Sequence, residues 1–425
     1  MDRIAVIDGI RTPFVKAWTL FEDIPAQILG TISVRELLEI THLKSNLVDE
    51  VIFGAVAQPV EASNVARVIS LYAGIPKEKR AYSLSRNCAS GFESVTSGFE
   101  KITCGLDEIV IAGGAESMSN IPLVFGKDIT KILMRLNKSK TLMRKLKLLS
   151  GIRPSHFKPV AGLVLGLTDP VCGLNMGQTA EVLAKEFGIT RKEQDEFSLT
   201  SHKRAAANRM KLREEIAPVI VPPDYDIVVM DDNGPRENQT MEALGSLSPY
   251  FDKYTGTVTV GNSCQVTDGA CALLVMKEEK ARQMGYEPLG YIRAYAYNGL
   301  APNKMGLGPA YSIPTVLKRA GLKLKDMDLV EINEAFAVQV LACIKALASK
   351  KFAEENFSYP EPIGQIDMDR LNVNGGAIAL GHPVGTSGSR LILTLAKEMK
   401  RRNAKFGLAS LCVGGGQGGA IILER

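Results

Sequence analysis

The sequence has few of the features that mark membrane, secreted or metal-dependent proteins. No apolar run approaches the roughly 18 residues that cross a bilayer, and the run at residues 160–167 is far too short. The first residues contain no basic region followed by an apolar one, so we expect no secretory signal and a cytoplasmic location. The 7 cysteines form no Cys-x-x-Cys pair, and the 4 histidines form no His-x-x-x-His. We therefore expect reduced thiols and no metal site.

Extremes of composition are absent as well. The chain has 425 residues, of which 45% are hydrophobic and 23% charged, which excludes a disordered or collagen-like protein. Its length is enough for two or three domains. The net charge of +5 is too small to indicate a nucleic-acid partner, and we expect none.

The positive charge is concentrated in one segment. From Lys127 to Lys158 the chain has ten basic residues and a single acid, Asp128. Apolar residues are interleaved with these cations at mostly three- and four-residue steps, namely Ile132, Leu133, Leu136, Leu142, Met143, Leu146 and Leu149. This pattern predicts a cationic amphipathic helix that lies on an anionic membrane or docks on an acidic partner subunit. A solvated charged face is the alternative.

Strand and helix signals alternate at both ends of the chain but not between them. The middle, residues 121–254, is basic, punctuated by proline and mostly helical, and the chain returns to a strand near residues 256–260. The predicted division is residues 1–120 plus 255–284 as a first half, 121–254 as an inserted domain, and 285–425 as a second half. Alternating strands and helices predict an α/β protein with helices covering parallel strands.

The two halves also match each other in sequence. Ala89-Ser90-Gly91, with the helix and strand that follow, aligns with Thr386-Ser387-Gly388 at a constant offset of 297 residues. Residues 49–54 align with residues 328–333 at an offset of 279. The match predicts a duplicated fold. Cys88 and Gly385 would then stand at equivalent helix starts.

Two glycine-rich segments look like phosphate-binding loops but lack what such loops require. The G-x-G-x-x-G spacing at residues 414–419 is followed by one short strand instead of a helix and a later acid. The loop at residues 376–381 has His382-Pro383 where a Walker motif needs Lys-Ser/Thr. We expect no nucleotide cofactor.

Two residues at helix or turn positions are candidates for nucleophilic chemistry. Cys88 precedes a predicted helix, where the dipole and free N–H groups would lower the thiol pKa. A buried structural cysteine is the alternative. His382 is fixed between Gly381 and Pro383, a rigid turn suited to positioning an imidazole. A hydrogen-bonded core histidine is the alternative there.

Two further candidates stand at predicted strand ends. Cys412 ends an apolar strand and precedes a glycine run, whose backbone can approach a ligand closely. Asn333 also follows a strand, where open α/β sheets place functional groups. The alternative for Asn333 is a helix N-cap.

Four blocks, in order, resemble the thiolase family. They are Arg-Asn-Cys-Ala-Ser-Gly around Cys88, Asn-Glu-Ala-Phe-Ala from Asn333, Gly-His-Pro around His382 and Cys-Val-Gly-Gly-Gly from Cys412. The resemblance runs from Arg-Thr-Pro at residues 11–13 to Gly419. It implies two duplicated βαβαβαββ halves that form a five-layer αβαβα core. A helical loop domain inserted in the first half would cover coenzyme A.

The resemblance also implies a role for each residue. Cys88 would be the nucleophile, His382 the base that takes its proton, and Cys412 the acid/base at the α-carbon. Asn333 would join His382 in one oxyanion hole, and the N–H groups of Cys88 and Gly414 would form the other. Coenzyme A would be a substrate, and no cofactor is expected. The predicted residues on the coenzyme A side are Met176, Ser263 and Phe336.

Two residues depart from the family pattern, and several functions compete. Asn175 stands where many members have His, and Cys264 where many have Ser. The favoured function is a degradative 3-ketoacyl-CoA thiolase of fatty-acid β-oxidation that pairs with a hydratase/dehydrogenase α-subunit. The alternatives are a biosynthetic acetoacetyl-CoA thiolase and a non-enzymatic lipid carrier on the same fold. Asn333 and Cys412 argue against the decarboxylating ketoacyl synthases. We also expect a homodimer or higher homo-oligomer that pairs through an exposed strand edge at residues 108–114.

Overall fold

The first part of the chain alternates strands and helices, as predicted. A computed structural model describes residues 3–425, so the predicted first half begins two residues outside the described range. The helix predicted to follow Cys88 is confirmed and spans Ser90–Thr103. The elements are β1 (Ile4–Arg11), β2 (Val15–Lys16), α1 (Ala26–Ile40), a 3-10 turn (Ser45–Leu47), β3 (Glu50–Gly54), α2 (Val65–Tyr72), β4 (Arg80–Leu84), α3 (Ser90–Thr103) and β5 (Ile109–Glu116).

The inserted part is mainly helical with short strand pairs. Asn175 and Thr190 cap its two long helices, and each accepts a hydrogen bond from the backbone N–H three residues on. Within residues 3–425, no helix is both long enough and apolar enough to cross a bilayer. The elements are β6 (Leu123–Phe125), α4 (Lys127–Lys138), α5 (Leu142–Leu149), a 3-10 turn (Pro154–Phe157), β7 (Pro159–Ala161), α6 (Gly162–Gly166), α7 (Met176–Phe187), α8 (Arg191–Ala207), α9 (Arg209–Arg213), β8 (Val219–Val221), β9 (Ile227–Val229) and α10 (Met241–Gly245).

The last part returns to the strand and helix alternation of the first. The strand predicted to precede Asn333 is confirmed and spans Leu329–Ile332. The elements are β10 (Thr267–Lys277), α11 (Glu278–Gln283), β11 (Gly290–Gly299), a 3-10 helix (Pro302–Leu307), α12 (Gly308–Ala320), a 3-10 turn (Leu324–Asp326), β12 (Leu329–Ile332), α13 (Ala337–Leu347), α14 (Lys350–Phe357), α15 (Ala377–Leu380), α16 (Ser387–Arg402), β13 (Phe406–Val413) and β14 (Gln417–Glu424).

The strand predicted near residues 256–260 is wrong. That segment is a loop, and the chain rejoins the sheet only at β10. The backbone N–H groups of Thr257 and Val258 donate to the Glu181 carboxylate, at 2.9 and 2.8 Å, instead of to a neighbouring strand. The buried Glu181 side chain therefore accepts the backbone hydrogen bonds that a neighbouring strand would otherwise accept.

The sheet has the same strand order in both halves. In the first half the order is β4-β3-β5-β10-β1, and in the second it is β12-β13-β14-β11. In each half the strand that comes first in the chain pairs antiparallel with the one that comes last, β1 with β10 and β11 with β14. The last strand also pairs antiparallel with its other neighbour, β5 or β13. The remaining neighbours, β3 with β5 and β12 with β13, are parallel. Strands β1 and β11 join the halves through three residue pairs, from Ile4↔Ile292 to Val6↔Gly290. The duplication predicted from the sequence is thus present in the topology.

The edge strand predicted at residues 108–114 is wrong. Strand β5 lies inside the sheet, parallel to β3 on one side and antiparallel to β10 on the other, from Ile109↔Met276 to Glu116↔Gly269. The outermost strand of the first half is β4. The prediction failed because β5 and its partner β10 are separated in sequence by the whole insertion. The second half has no full strand equivalent to β4 among the described residues. A single parallel bridge, Val330↔Leu371, stands at that position.

Helices α3 and α16 lie side by side between the two parts of the sheet. One buried apolar cluster contains residues of both helices together with inward-facing residues of both sheets. Helices α1 and α2 cover the outer face of the first sheet. Helices α12 and α13 cover the outer face of the second. The arrangement is αβαβα, and the predicted five-layer fold is confirmed.

Two glycines at equivalent positions let the central helices touch through their backbones. A Cβ added at Gly91 would lie 2.8 Å from the carbonyl oxygen of Gly385. A Cβ added at Gly388 would lie 2.4 Å from the backbone nitrogen of Phe92. No real Cβ can be accommodated at these distances, because backbone atoms cannot rotate away as side chains do. The two helix starts can therefore approach this closely only because Gly91 and Gly388 have no side chain.

Gly388→Ala should destabilise the fold by separating α3 from α16. Overpacking of this kind costs about 1–3 kcal/mol of unfolding free energy, measurable by urea denaturation. Gly245→Ala is the matched control, because Gly245 lies in helix α10 with no atom within 4 Å of an added Cβ. The control should be neutral or slightly more stable. Equal stability of the two variants would contradict the close-approach account.

Candidate active site

The predicted catalytic residues converge where the two halves meet. Cys88 lies two residues before α3, and Gly385 lies two residues before α16. Asn333 follows β12, and Cys412 is the second-last residue of β13. The close packing of the two helix starts therefore brings one thiol and the Gly-His-Pro turn to the carboxyl ends of strands from the second sheet.

The Cys88 turn is tied directly to the glycine loop after Cys412. Asn87 has a positive φ of 44°, and its side-chain amide donates to the carbonyl oxygen of Gly414 at 2.8 Å. The backbone N–H groups of Gly414 and of Cys88 itself lie close enough to the Cys88 sulfur to lower its pKa. The structure thus brings Cys88 and Gly414 together, as predicted.

The expectation of a lowered Cys88 pKa is wrong for the unliganded protein. Burial raises the pKa of the half-buried thiol, and the N–H groups of Gly414 and Cys88 only partly oppose that effect. A buried thiolate loses its hydration, and this loss outweighs the helix start. The resting Cys88 thiol is therefore neutral, and it would need a base in order to act as a nucleophile.

His382 is held in one tautomer by Ser387. The imidazole Nδ1 lies 2.6 Å from Ser387 Oγ, and that hydroxyl donates its only hydrogen to the carbonyl oxygen of Pro383 at 3.1 Å. We infer that Ser387 accepts from Nδ1–H, because its one hydrogen can then bind Pro383, and this tautomer leaves a lone pair on Nε2 that faces the side-chain amide of Asn333. Burial lowers the pKa of His382 to about 3, and the charge of Arg390 acts in the same direction. The ring is neutral and can accept a proton at Nε2.

Asn333 faces that lone pair. Its side-chain nitrogen lies 3.5 Å from His382 Nε2. Its backbone N–H donates to Ser410 at 2.9 Å, and within residues 3–425 its Oδ1 has no hydrogen-bond partner. Helix α13 begins at Ala337 and is preceded by Phe336, so the N-cap alternative for Asn333 is wrong.

Cys412 lies at the centre of a group of thiols. Burial raises its pKa well above the usual value, and the neighbouring thiols Cys88, Cys343 and Cys264 raise it further. Burial likewise raises the pKa of Cys264 to about 12, with Cys88 adding to the effect. Cys412 is thus a protonated thiol beside Cys88. Among residues 3–425 no three His, Cys, Asp or Glu side chains are grouped to hold a metal ion.

Glu334, which the sequence did not single out, fixes the loop that carries Asn333. Its buried carboxylate accepts from Ser201 Oγ at 2.6 Å, from Asn372 Nδ2 at 2.8 Å and from the N–H of Ile378 at 3.2 Å. Ser201 belongs to α8 of the insertion. This carboxylate therefore joins the insertion to the catalytic end of the second sheet.

The three residues predicted on the coenzyme A side lie along one wall of the same region. Met176 Sδ is 3.3 Å from a Cβ placed at Gly414. Ser263 forms an antiparallel bridge with Phe336, and its hydroxyl donates to Thr259 at 2.7 Å. The Phe336 ring stacks edge-on against Phe251 at 6.0 Å. The wall is apolar, and the Ser263 oxygen retains its capacity to accept a hydrogen bond.

Ser387 and Asn87 were also missed, and both left a signal in the sequence. Ser387 aligns with Ser90 in the repeat, and each hydroxyl binds a carbonyl in the turn before its helix. Asn87 directly precedes the nucleophile, and asparagine tolerates a left-handed backbone conformation. Neither signal names the partner. Gly414 is 327 residues from Asn87, and the serine pattern that Ser387 shares with Ser90 predicts a bond to a carbonyl and not one to the nearby imidazole of His382.

Family models match the chain from end to end. The model described as "Thiolase, N-terminal domain" matches residues 4–279, and the model described as "Thiolase, C-terminal domain" matches residues 286–425. The chain belongs to the thiolase family. The resemblance stated from the four sequence blocks is therefore confirmed.

Individual relatives are similar over nearly their whole length. A 3-ketoacyl-CoA thiolase of Pectobacterium carotovorum is 43% identical over 100% of this chain and 97% of its own. One of Pseudoalteromonas translucida is 42% identical with the same coverage. The crystal structure of a Bacillus anthracis acetyl-CoA acetyltransferase has TM-score 0.87 and 33% identity, covering 100% of this chain and 99% of that chain. Human mitochondrial 3-ketoacyl-CoA thiolase has TM-score 0.85 and 35% identity at the same coverage.

The tautomer of His382 can be tested by NMR on histidine-labelled protein, since the chain has only 4 histidines. We expect the His382 signals to show a neutral ring with the proton on Nδ1, unchanged from pH 8 to pH 5, because the pKa is lowered to about 3. Ser387→Ala should remove the tautomer preference. Ser389→Ala is the control and should leave it unchanged, because the Ser389 hydroxyl binds Thr386 and not the imidazole. Titration of His382 between pH 5 and 7 would contradict the assignment.

Proposed function

We propose that the protein is a 3-ketoacyl-CoA thiolase, an acyltransferase that cleaves 3-ketoacyl-CoA with coenzyme A in fatty-acid β-oxidation. The observation that carries the proposal is the proximity of two neutral thiols, Cys88 and Cys412, together with a neutral His382 whose Nε2 can accept a proton. Full-length similarity to relatives named 3-ketoacyl-CoA thiolase supports the same substrate class.

In the first step Cys88 is acylated. His382 Nε2 takes the thiol proton, and the sulfur attacks the keto carbonyl of the substrate. The bond between the keto carbon and the α-carbon then breaks, which leaves the acyl group on Cys88 and an acetyl-CoA carbanion. Cys412 gives its proton to that carbanion, and acetyl-CoA leaves. The raised pKa of Cys412 keeps it protonated for this role.

In the second step a new coenzyme A thiol takes the acyl group. Its proton goes to Cys412, its sulfur attacks the Cys88 thioester, and the Cys88 thiol recovers its proton from His382. Two thiols are needed because one forms a bond to carbon while the other only moves a proton.

Two groups of donors support the negative oxygen atoms that form. The backbone N–H groups of Cys88 and Gly414 lie close enough to the Cys88 sulfur to lower its pKa, so an acyl oxygen on that sulfur would lie within their reach. His382, once protonated, and Asn333, through a water, would hold the thioester oxygen of the acetyl unit. The unpartnered Oδ1 of Asn333 supports a water at this place.

The insertion, residues 121–254, would cover coenzyme A, with Met176, Ser263 and Phe336 along the pantetheine. Met176 and Phe336 supply an apolar wall, and Ser263 an acceptor for an amide N–H. Coenzyme A is a substrate in this reaction, and the thiols, imidazole and backbone N–H groups supply every proton transfer. No cofactor or metal is proposed.

The roles of the two thiols can be separated by substitution. Cys88→Ser should abolish formation of the acyl-enzyme, because a hydroxyl is a far weaker nucleophile than a thiol. Cys412→Ser should still accept an acyl group from acyl-CoA but should exchange the α-protons of acetyl-CoA into deuterated water at least about 100-fold more slowly. Cys271→Ser is the control, as it removes a buried thiol on β10 that is not among the neighbours acting on Cys412. Near-normal exchange in Cys412→Ser would contradict its role.

A biosynthetic acetoacetyl-CoA thiolase is the second candidate. The similarity to the Bacillus anthracis acetyl-CoA acetyltransferase favours it. The two are separated by the ratio of rates for acetoacetyl-CoA and longer 3-ketoacyl-CoA substrates. A lipid carrier would act on none of them.

We propose a homodimer formed through β4 instead of through residues 108–114. Strand β4 has a neighbour on one side only, and its side chains Ala81, Tyr82, Ser83 and Leu84 are only partly buried. A sheet edge of this kind is a ready template for pairing with a second copy. The location beside Arg86 and Asn87 would place the dimer contact next to the Cys88 turn.

The basic segment from Lys127 to Lys158 supports a further contact surface. It folds into two helices, α4 and α5, instead of one, and most of its apolar side chains are exposed. Leu142, Met143 and Leu146 are 74%, 83% and 57% exposed, although leucine and methionine are usually buried. We propose that this surface contacts an anionic membrane or an acidic hydratase/dehydrogenase α-subunit.

The surface can be tested by removing its charge. Replacing Lys138, Lys140, Arg144, Lys145 and Lys147 with Gln should abolish flotation with vesicles rich in phosphatidylglycerol, since each cation contributes about 1 kcal/mol near such a surface. A pull-down with the α-subunit tests the other partner. The control replaces five exposed lysines elsewhere, Lys318, Lys323, Lys325, Lys350 and Lys351. If wild-type protein associates with neither at low salt, the segment is a solvated face.

A further inference from the structure

Glu116, the last residue of β5, is a buried carboxylate to which the reaction assigns no step. It is 1% exposed. Its two oxygens accept three backbone N–H groups, those of Val56 at 3.1 Å, Ala57 at 2.9 Å and Gly385 at 2.8 Å. The first two belong to the loop after β3, in the same half as Glu116. Gly385 belongs to the other half.

The third bond reaches the turn that carries His382. Gly385 is three residues beyond His382 and two before Ser387, which binds the imidazole. A Cβ at Gly385 would lie 2.6 Å from Glu116 Oε2, and a Cβ at Gly114 would lie 2.1 Å from the carbonyl oxygen of Gly385. The turn is therefore packed directly on the end of β5, with its N–H on the carboxylate.

The charge of Glu116 works against the nucleophile, so its position needs another explanation. The negative charge of Glu116 raises the pKa of Cys88, in addition to the larger effect of burial. Burial in turn raises the pKa of Glu116 to about 7, and Asp268 on β10 adds to this. An apolar residue would ease ionisation of Cys88. It would also leave three buried N–H groups without an acceptor, which is costly.

We propose that Glu116 is a positioning residue that holds the His382 turn against the Cys88 turn across the junction of the two halves. It acts through the Gly385 N–H and touches no substrate. The Asn87–Gly414 hydrogen bond makes the corresponding connection on the Cys412 side. The proposal rests on the proposed function for its catalytic consequence, but its effect on the Cys88 thiol is independent of any substrate.

Two substitutions separate the reach of Glu116 from its charge. Glu116→Asp keeps the charge but is one methylene too short to reach all three N–H groups. Glu116→Gln keeps the length but removes the charge and presents an NH₂ where an acceptor is needed. Glu398→Gln is the matched control, a buried carboxylate at the far end of α16 that binds Asn374 and Arg402. The readouts are kcat and KM for thiolysis, and the pH dependence of Cys88 alkylation by iodoacetamide, located by peptide mapping.

Both Glu116 variants should lose kcat by roughly 10- to 100-fold with KM little changed, because small displacements of reacting groups cost about that much. Alkylation of Cys88 should shift to lower pH in Glu116→Gln and stay at the wild-type pH in Glu116→Asp. Glu398→Gln should change neither readout. The proposal would be overturned if both Glu116 variants kept kcat within twofold of wild type. It would also be overturned if the pH dependence of Cys88 alkylation were the same in Glu116→Gln as in wild type. So would failure of both variants to fold, since Glu116 would then be a folding residue. Wild-type protein inactive on every 3-ketoacyl-CoA would instead overturn the proposed function.

Discussion

The backbone contact between α3 and α16 is the constraint on which the rest of the structure depends. Gly91 and Gly388 let the two helix starts approach closer than any side chain would permit. Each helix start belongs to a different half, and each is followed by its own sheet. The contact therefore fixes the spacing of the central layer and, at the same time, the distance between the Cys88 turn and the His382 turn. Fold and site are specified by the same two positions.

The layers around this contact also determine the protonation state of the site. Burial raises the pKa values of Cys88 and Cys412 and lowers that of His382, so all three groups are neutral before substrate binds. A neutral site has a physical advantage, because no bare charge is buried without a partner. In the proposed reaction a proton moves as each bond forms or breaks. Fixed N–H donors, such as that of Gly414, would supply the stabilisation that water otherwise provides.

Sequence patterns predicted the parts of this structure that are local. The helix from Ser90 to Thr103 has apolar periodicity, and the motif around His382 has a rigid turn, so both were found. Long-range pairing was not visible. Strand β4 carries only Arg-Ala-Tyr-Ser-Leu, a weak strand signal, yet it is the edge, while the strongly apolar β5 lies inside. The Cys88 pKa was predicted in the wrong direction, because helix position is local and burial depends on the whole fold.

The central claim is that the junction of the two halves makes Cys88, and no other thiol, the acyl acceptor. The most direct measurement is mass spectrometry of protein incubated with 3-ketooctanoyl-CoA in the absence of free coenzyme A, quenched in acid and digested. The account predicts a hexanoyl group on the peptide that contains Cys88 and release of acetyl-CoA. A hexanoyl group on Cys264 or Cys412 in place of Cys88, or release of acetyl-CoA with no acylated peptide, would contradict it.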